Sequence, residues 1–473
     1  MVAEFDLAVI GAGAAGLSVT AVAAQLGLRV VLIERARMGG DCLNYGCVPS
    51  KALLAASHAV QAGMRAGRFG VRFAVPEIDW DAVLAHVGGV IAAIAPMDSA
   101  ARFEALGATV IVGEARFVGR DSLMVGDRRI TASRIVIAAG SRATIPPIPG
   151  LAEVPFLTNA TLFGPDPKPA HLLILGGGPI GLEMAQAHAG LGVRVTVVEA
   201  QTIAGRDDPE LVDGLRHALR GDGVEIIEGV AVVAVEPGPV LLLKDGRRFA
   251  GDTLLVAVGR TPNLEGLDCQ IGGVQTGRGG VVTDQGLRSV SNPRVFAVGD
   301  IADPVGLGPR AFTHVASYHA GIVIRRALFR LPAKLDYRAL PRVTYTVPEL
   351  AQVGMTEAEA RAGGERDIQI LRWPLADNDR AQAERDTAGL VKLVVGRRGR
   401  ILGAGILAPN AGEMIGTWTL AISQNIKLGA LAGMIVPYPT RAEAAKRAAG
   451  TYYLSWLLAP WTKRIVGWLA KLP

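Results

Sequence analysis

"FDLAVIGAGAAGLSVTAVAAQLGLRVVLIE", residues 5–34, reads as strand, glycine turn, helix and strand. An apolar run leads into Gly11, Gly13 and Gly16 at G-x-G-x-x-G spacing, and a second apolar run closes on Glu34. Residues 171–199, "HLLILGGGPIGLEMAQAHAGLGVRVTVVE", repeat the plan with Gly176, Gly178, Gly181 and Glu199. Such glycines let the backbone approach a pyrophosphate, which then lies at the positive end of the following helix. In each copy the acid stands 23 residues past the first glycine, where a ribose hydroxyl needs an acceptor. Ala15 and Ile180 lie inside the two fingerprints and join the candidate cofactor-binding residues. The competing reading is two glycine-rich turns in an ordinary doubly wound sheet; matching acids in both copies favour two dinucleotide sites.

The totals agree with an α/β protein of several domains: 473 residues, half of them apolar, 59 glycines and few aromatics. Three cysteines cannot build a disulfide framework, which points to the cytoplasm and to redox or metal chemistry for any close pair. The opening "MVAEFDLAVIGAG" carries acids where a secretion signal needs positive charge. Net charge is +6, but no Lys/Arg block with interleaved aromatics marks a nucleic-acid surface. "PDPKPA", residues 165–170, reads as a stiff linker ahead of an inserted second unit. "IVIAAG" (135–140), "LLVAVG" (254–259) and "VFAVGD" (295–300) read as buried parallel strands meeting a ligand, which adds Gly140, Gly259 and Asp300.

Two of the three cysteines lie in "GGDCLNYGCVPSK", residues 39–51. On an ideal helix five residues of separation give a rise of about 7.5 Å and an angular offset near ~140°. A disulfide needs Cα atoms within about 7 Å, so Cys42 and Cys47 require a distorted turn. Gly46 permits one, and Pro49 is placed for a helix start whose N-terminus would stabilise a thiolate. Zinc is the weaker alternative, because Cys269 and seven scattered histidines offer no second ligand pair. No metal site is expected.

Both fingerprints, the cysteine motif, "VFAVGD" and "PRVTYTVPELAQVG" (341–354) follow one another in the order of a known family. From about residue 5 to 450 the chain resembles the flavoprotein pyridine nucleotide-disulfide oxidoreductases, the family of dihydrolipoamide dehydrogenase, glutathione reductase and mercuric reductase. The resemblance implies an FAD-binding domain (1–152 and 284–332), an NAD(P)-binding domain (153–283), a dimerisation domain (338–452) and a tail (453–473). FAD would be held by Gly11, Gly13, Ala15, Gly16, Glu34, Gly39, Gly40, Asp41, Cys42, Lys51, Ala115, Gly140 and Asp300. NAD(P)H would be held by Gly176, Gly178, Ile180, Gly181, Glu199 and Gly259. Cys47 would be the thiolate facing the flavin and Cys42 the interchange thiol; Lys51 would lie near the flavin N5 and pair with Glu183. Glu199 favours NADH by repelling a 2′-phosphate, and Arg206 opposes that preference.

The family's disulfide reductases place a His before Pro-Thr near the C-terminus, contributed across a homodimer interface together with a Glu. Here "VPYPTRAEAAKRAAG", residues 436–450, keeps Glu443 but sets Tyr438 in the histidine position. A phenol with pKa near ~10 is a poor proton acceptor at neutral pH, so the resemblance leans to mercuric reductase over lipoamide or glutathione reduction. That enzyme typically ends in a vicinal cysteine pair and often begins with a metal-binding domain; this sequence starts in the flavin unit and ends "WLAKLP", so weaker mercury capture is expected. The expected function is electron transfer from NAD(P)H through FAD and Cys42/Cys47 to a metal ion or small molecule. Dihydrolipoamide dehydrogenase is the alternative, and a membrane-docked nucleotide sensor the non-enzymatic one. In "PWTKRIVGWLAKL" (460–472), Trp461, Ile465, Trp468, Leu469 and Leu472 share a helical face away from Lys463, Arg464 and Lys471. That pattern fits peripheral contact with the inner face of a membrane, or a helix closing the dimer.

Overall fold

A computed structural model describes residues 3–472. The chain forms two compact units: the first runs through Val60 and adds Pro76–Gly176 and Val232–Tyr337; the second comprises Gln61–Val75, Gly177–Ala231 and the chain from Arg338.

The first unit is built on a parallel sheet whose neighbours run Thr109–Val112, Val30–Glu34, Phe5–Ile10, Arg128–Ile137 and Val295–Ala297. Its inner strands Phe5–Ile10, Val30–Glu34 and Val295–Ala297 are buried on both faces, so they read as continuous apolar runs without alternation. The early half of Arg128–Ile137 also pairs antiparallel with Ser122–Val125, which continues to Ala115–Gly119. Helix Ala14–Gln25 buries Leu17, Val19 and Ala23 against this sheet. His171–Leu175 and Thr253–Val256 form a separate parallel pair in the same unit. All three strands expected from the glycine-ended motifs are present, ending at Ile137, Val256 and Ala297.

In the second unit, Arg194–Glu199 pairs parallel with Val224–Glu228. Its C-terminal part is α+β: an antiparallel sheet in the order Pro341–Thr344, Glu349–Gly354, Arg400–Ala408, Leu390–Gly396, Gln369–Pro374. Helices Ala411–Ser423 and Ala442–Thr451 close its core through Ile415, Trp418, Ala444 and Ala448. The two fingerprints with this third element give the α/β class with an α+β domain.

Two local expectations shift. The helix after the cysteine turn starts at Cys47, two residues before Pro49; proline is tolerated there because first-turn N–H groups have no intrahelical partner. The tail helix spans Pro460–Leu469, and Leu472 lies beyond it, in a tighter closing turn where Lys471 and Leu472 donate to the Trp468 and Leu469 carbonyls. Trp461, Ile465, Trp468 and Leu469 are exposed on it, and Thr462 is its buried residue. A second uncovered apolar stretch is Trp80–Ala105, with mean hydropathy 1.5 and only 6% of its most apolar window buried within one chain.

Candidate functional site

The two fingerprints are near copies in three dimensions. Gly11 has φ +103° and Gly176 φ +112°; a Cβ on either would stand 2.5 Å from a carbonyl oxygen, that of Ala138 or Ala257. A Cβ on Gly16 would stand 1.9 Å from the Gly11 oxygen. Glycine is therefore required by close approach at all three. Gly13 and Gly178 differ: added Cβ atoms would meet nothing nearer than 4.0 Å, which leaves room for a pyrophosphate to approach. Helices Ala14–Gln25 and Pro179–Gly190 start immediately after these glycines, with Ala15 and Gly181 buried and Ile180 exposed.

The closing acids match as well. Glu34 accepts the Ala12 N–H at 2.6 Å on one oxygen and the Ala36 N–H at 2.8 Å on the other. Glu199 does the same with Gly177 at 2.7 Å and Gln201 at 2.9 Å. Each carboxylate thus locks its glycine turn, and each oxygen retains a second lone pair for a ribose hydroxyl. These residues fit two dinucleotides.

Cys42 lies in the short helix Gly40–Asn44 and Cys47 opens the helix Cys47–Arg65. The turn between them is close-packed: a Cβ on Gly46 would meet both the Asp41 carbonyl oxygen and its carboxylate at 3.1 Å. Breaking one helix into two brings the thiols into hydrogen-bonding contact, and that contact, followed by burial, pushes the Cys42 thiol well above its usual range. The helix start lies at Cys47, where N–H groups favour negative charge. Cys47 Sγ is 3.2 Å from Thr313 Oγ1. Gly39 and Gly40 are left-handed at φ +87° and +60°, and Gly40 sits against Gly13, which joins the cysteine motif to the first glycine turn.

Asp300 lies in the single turn Gly299–Ile301 after Val295–Ala297. Its Oδ2 accepts the Ser141 hydroxyl at 2.5 Å. Burial raises its carboxyl, while Ser141 and Arg260 pull it back. Gly140 is left-handed at φ +64° with open space around it, and Ala115 is buried at the start of its strand. Gly259 (φ +142°) precedes Arg260. Lys51 donates to Ser50 Oγ at 3.5 Å. In the second unit, Glu183 accepts the Tyr345 N–H at 3.0 Å, the exposed Tyr438 donates to Asp379 at 2.8 Å, and Glu443 pairs with Arg447 at 2.8 Å. Cys269 is buried, which pushes its thiol up to about 11 and leaves it unreactive.

Sequence reasoning missed Arg260, Ser141, Asn159 and Thr313. Asn159 donates to Asp41 Oδ1 at 2.9 Å. Arg260 directly follows the glycine of "LLVAVG", and that position was the available signal. The others carry none, because a lone hydroxyl or amide at a strand start, a helix start or a turn has no pattern.

The family model described as pyridine nucleotide-disulphide oxidoreductase matches residues 5–355, and the dimerisation-domain model matches residues 340–449. A mercuric reductase of Streptomyces lividans is 38% identical over 470 residues, covering 95% of this chain and 96% of its own. A dihydrolipoyl dehydrogenase of Geobacillus stearothermophilus is 34% identical, covering 94% and 96%. Among solved structures, the HOCl-induced flavoprotein disulfide reductase RclA of Escherichia coli, as its Cu(II) complex, superposes with a TM-score of 0.84 at 28% identity, covering 95% of this chain and all of that one. The chain belongs to the pyridine nucleotide-disulphide oxidoreductases, homodimeric enzymes that use FAD and NAD(P)H.

Proposed function

We propose that this enzyme passes electrons from NADH to a soft metal ion at the Cys42/Cys47 pair, in the manner of mercuric reductase. The observation that carries the reading is the contact between two thiols of which one, Cys42, is held protonated and half-buried. A neighbouring thiol pair is a ligand set for soft metals, and metal binding itself expels the proton. Thiol exchange with an organic disulfide instead needs a base to take the Cys42 proton. Tyr438, in the position where related disulfide reductases carry histidine, donates to Asp379, and that bond holds its phenol above the usual range. It is no acceptor. The mercuric reductase relatives support the same choice.

The chemistry FAD supplies when bound is hydride acceptance from NAD(P)H and two-electron delivery to a disulfide. In this reading Gly11, Gly13 and Gly16 with Glu34 seat its pyrophosphate and ribose, and Asp300 binds the ribityl chain. Gly140, Ala115, Ala15, Gly39, Gly40 and Asp41 line the same site. Lys51 and Glu183 are the further catalytic residues of this reading, Lys51 beside the flavin ring. Gly176, Gly178, Gly181, Ile180, Gly259 and Glu199 receive the nicotinamide nucleotide. The FAD domain takes 1–152 and 284–332, the NAD(P) domain 153–283 and the dimerisation domain 338–452. Tyr438 and Glu443 reach the partner's thiols, and the uncovered Trp80–Ala105 surface is buried against the second copy. A cytoplasmic location fits a chain whose three cysteines cannot build a disulfide framework, and the tail from residue 453 rests on the inner membrane surface.

The deciding experiment is an acceptor panel of mercuric and cupric ions, lipoamide, glutathione disulfide and quinones, run on wild type, Cys42→Ser and Tyr438→Phe. Metal reduction that disappears in Cys42→Ser supports the reading. Efficient lipoamide turnover with no metal reduction overturns it in favour of dihydrolipoamide dehydrogenase. Absence of any NADH-driven flavin reduction leaves the sensor.

A further inference from the structure

At the opposite end of the flavin unit's sheet from the glycine turns lies a cavity of 590 Å³ that the proposed chemistry does not use. Its wall carries Arg134, Arg288, Arg326, Arg330 and Lys334 over a floor that includes Phe296. Arg134 sits just before Ile135, which pairs with Val295, so the cavity opens at the N-terminal ends of these parallel strands. Gly140 and Asp300 follow their C-terminal ends, and six residue steps, the first three of them in strand, separate Arg134 from Gly140 by at most about 20 Å.

Charge here departs from the chain as a whole, whose 49 basic residues are nearly matched by 43 acidic ones. Of the five cations, Arg326 has a carboxylate, Asp284, at 3.0 Å. Among the described residues no ion pair joins Arg134, Arg288, Arg330 or Lys334 to an acid. Arg134 is half-buried, and the charges that act on it are the cations Arg330 and Arg294. Burial first, and those two cations next, push its guanidinium below the usual range. A solvated basic surface would let these side chains diverge; holding a partly desolvated arginine among like charges costs free energy that a bound anion offsets.

We propose that this cavity binds a small anion bearing clustered phosphate groups, a polyphosphate chain or the phosphates of a nucleotide. Guanidinium forks match phosphate oxygens bidentately, and four arginines with one lysine in one hollow provide for several negative charges at once. A concave site favours a compact ligand over a polymer. Phe296 is only 3% exposed and offers no face on which a base could stack, so single-stranded RNA is the poorer fit.

The test is calorimetric titration of the FAD-loaded dimer with inorganic tripolyphosphate and, separately, ATP. Binding is expected to be saturable and to weaken as NaCl rises. Arg134→Gln and Arg330→Asn should each weaken it at least about tenfold, with NADH-driven flavin reduction unchanged. Arg330 is exposed and left-handed at φ +55°, a conformation asparagine accepts, so that variant remains informative if Arg134→Gln fails to fold. Equal affinity for the two ligands identifies the phosphate chain as the recognised group; tighter ATP binding identifies a nucleotide. Three results overturn the proposal: no saturable binding, binding that survives both substitutions and so belongs to the dinucleotide cradles, or capture of RNA or anionic vesicles alone.

Discussion

Arg260 is paired with Asp41, Nη2 to Oδ2 at 3.2 Å, inside the flavin unit. The same guanidinium donates to the Ser141 hydroxyl and carbonyl at 2.7 and 2.8 Å and stands 3.6 Å from Asp300. One side chain thus fastens three segments: the cysteine motif, the turn after Gly140 and the Asp300 turn. All three belong to the site where FAD is expected.

Replacing Arg260 by Gln should therefore loosen FAD by at least about tenfold, since it removes charge-assisted hydrogen bonds to the buried Ser141 and the ion pair with Asp41. Arg260→Lys keeps the charge but loses the fork and should fall between. The flavin-to-protein absorbance ratio after dialysis measures this. Full retention in the Gln variant would show that the three segments hold together without it.

The cysteine contact predicts a titration. Hydrogen bonding with Cys47 is the largest reason the Cys42 thiol is held up, ahead of burial. Cys47→Ser removes a neighbouring sulfur charge, so Cys42 should ionise at lower pH in that variant than in the reduced wild type. The pH profile of iodoacetamide alkylation reports it directly. A Cys42 profile that stays put would mean that burial alone sets its proton affinity.

How much of this was legible follows from where each signal sits along the chain. Gly11, Gly16 and Gly176 announce themselves because a missing Cβ is a local necessity, and Glu34 and Glu199 because they close strands of fixed length. Gly46 was readable for the same reason: the cysteine spacing fails on one helix, and a turn must break it. Arg260, Ser141 and Thr313 stayed silent. Arg260 and Ser141 meet across a short antiparallel strand pair and Thr313 opens a helix beside Cys47, and nothing in the local pattern of a strand end records which carboxylate a guanidinium will meet. The basic cavity was equally hidden, because Arg134 is far in sequence from Arg288 and Arg330 and only strand pairing unites them.

Glu199 predicts nucleotide choice. Its carboxylate closes the second fingerprint by holding Gly177 and Gln201, and the proposed function puts the nucleotide ribose there. Glu199→Gln keeps an acceptor but deletes the charge that repels a 2′-phosphate, so the ratio of kcat/KM for NADPH over NADH should rise about tenfold. Steady-state rates with both nucleotides decide, and a wild type that already prefers NADPH would refute the role.

His319 predicts an acid weakness. It is fully buried: its Nδ1 accepts the Gly299 N–H at 3.1 Å, so its proton sits on Nε2, 2.6 Å from Tyr337 Oη. Burial lowers it to about 4, against about 6.5 in an unfolded chain. Stability from this group is complete above the unfolded value and is lost as pH falls from there toward the folded one, by about 3 kcal/mol in all. His319→Gln preserves acceptor and donor without titrating and should flatten roughly half of the melting-temperature decline between those limits. The buried His188, also lowered to about 4, contributes in the same direction. An undiminished slope would place the acid sensitivity elsewhere.

The tail separates two occupants. Trp461, Ile465 and Trp468 are exposed along Pro460–Leu469, Trp456 meets Trp461 edge-on at 5.3 Å, and Lys463, Arg464 and Lys471 accompany them without an acid. Tryptophan with cations suits the headgroup layer of an anionic bilayer, where apolar area and charge act together. A helix packed on a second copy would have no such use for unpaired cations. Anionic liposomes should therefore float the full chain and leave behind one ending at Thr451, with the difference shrinking in neutral lipid. If both float alike, the bilayer reading fails, and the apolar face belongs to the partner subunit.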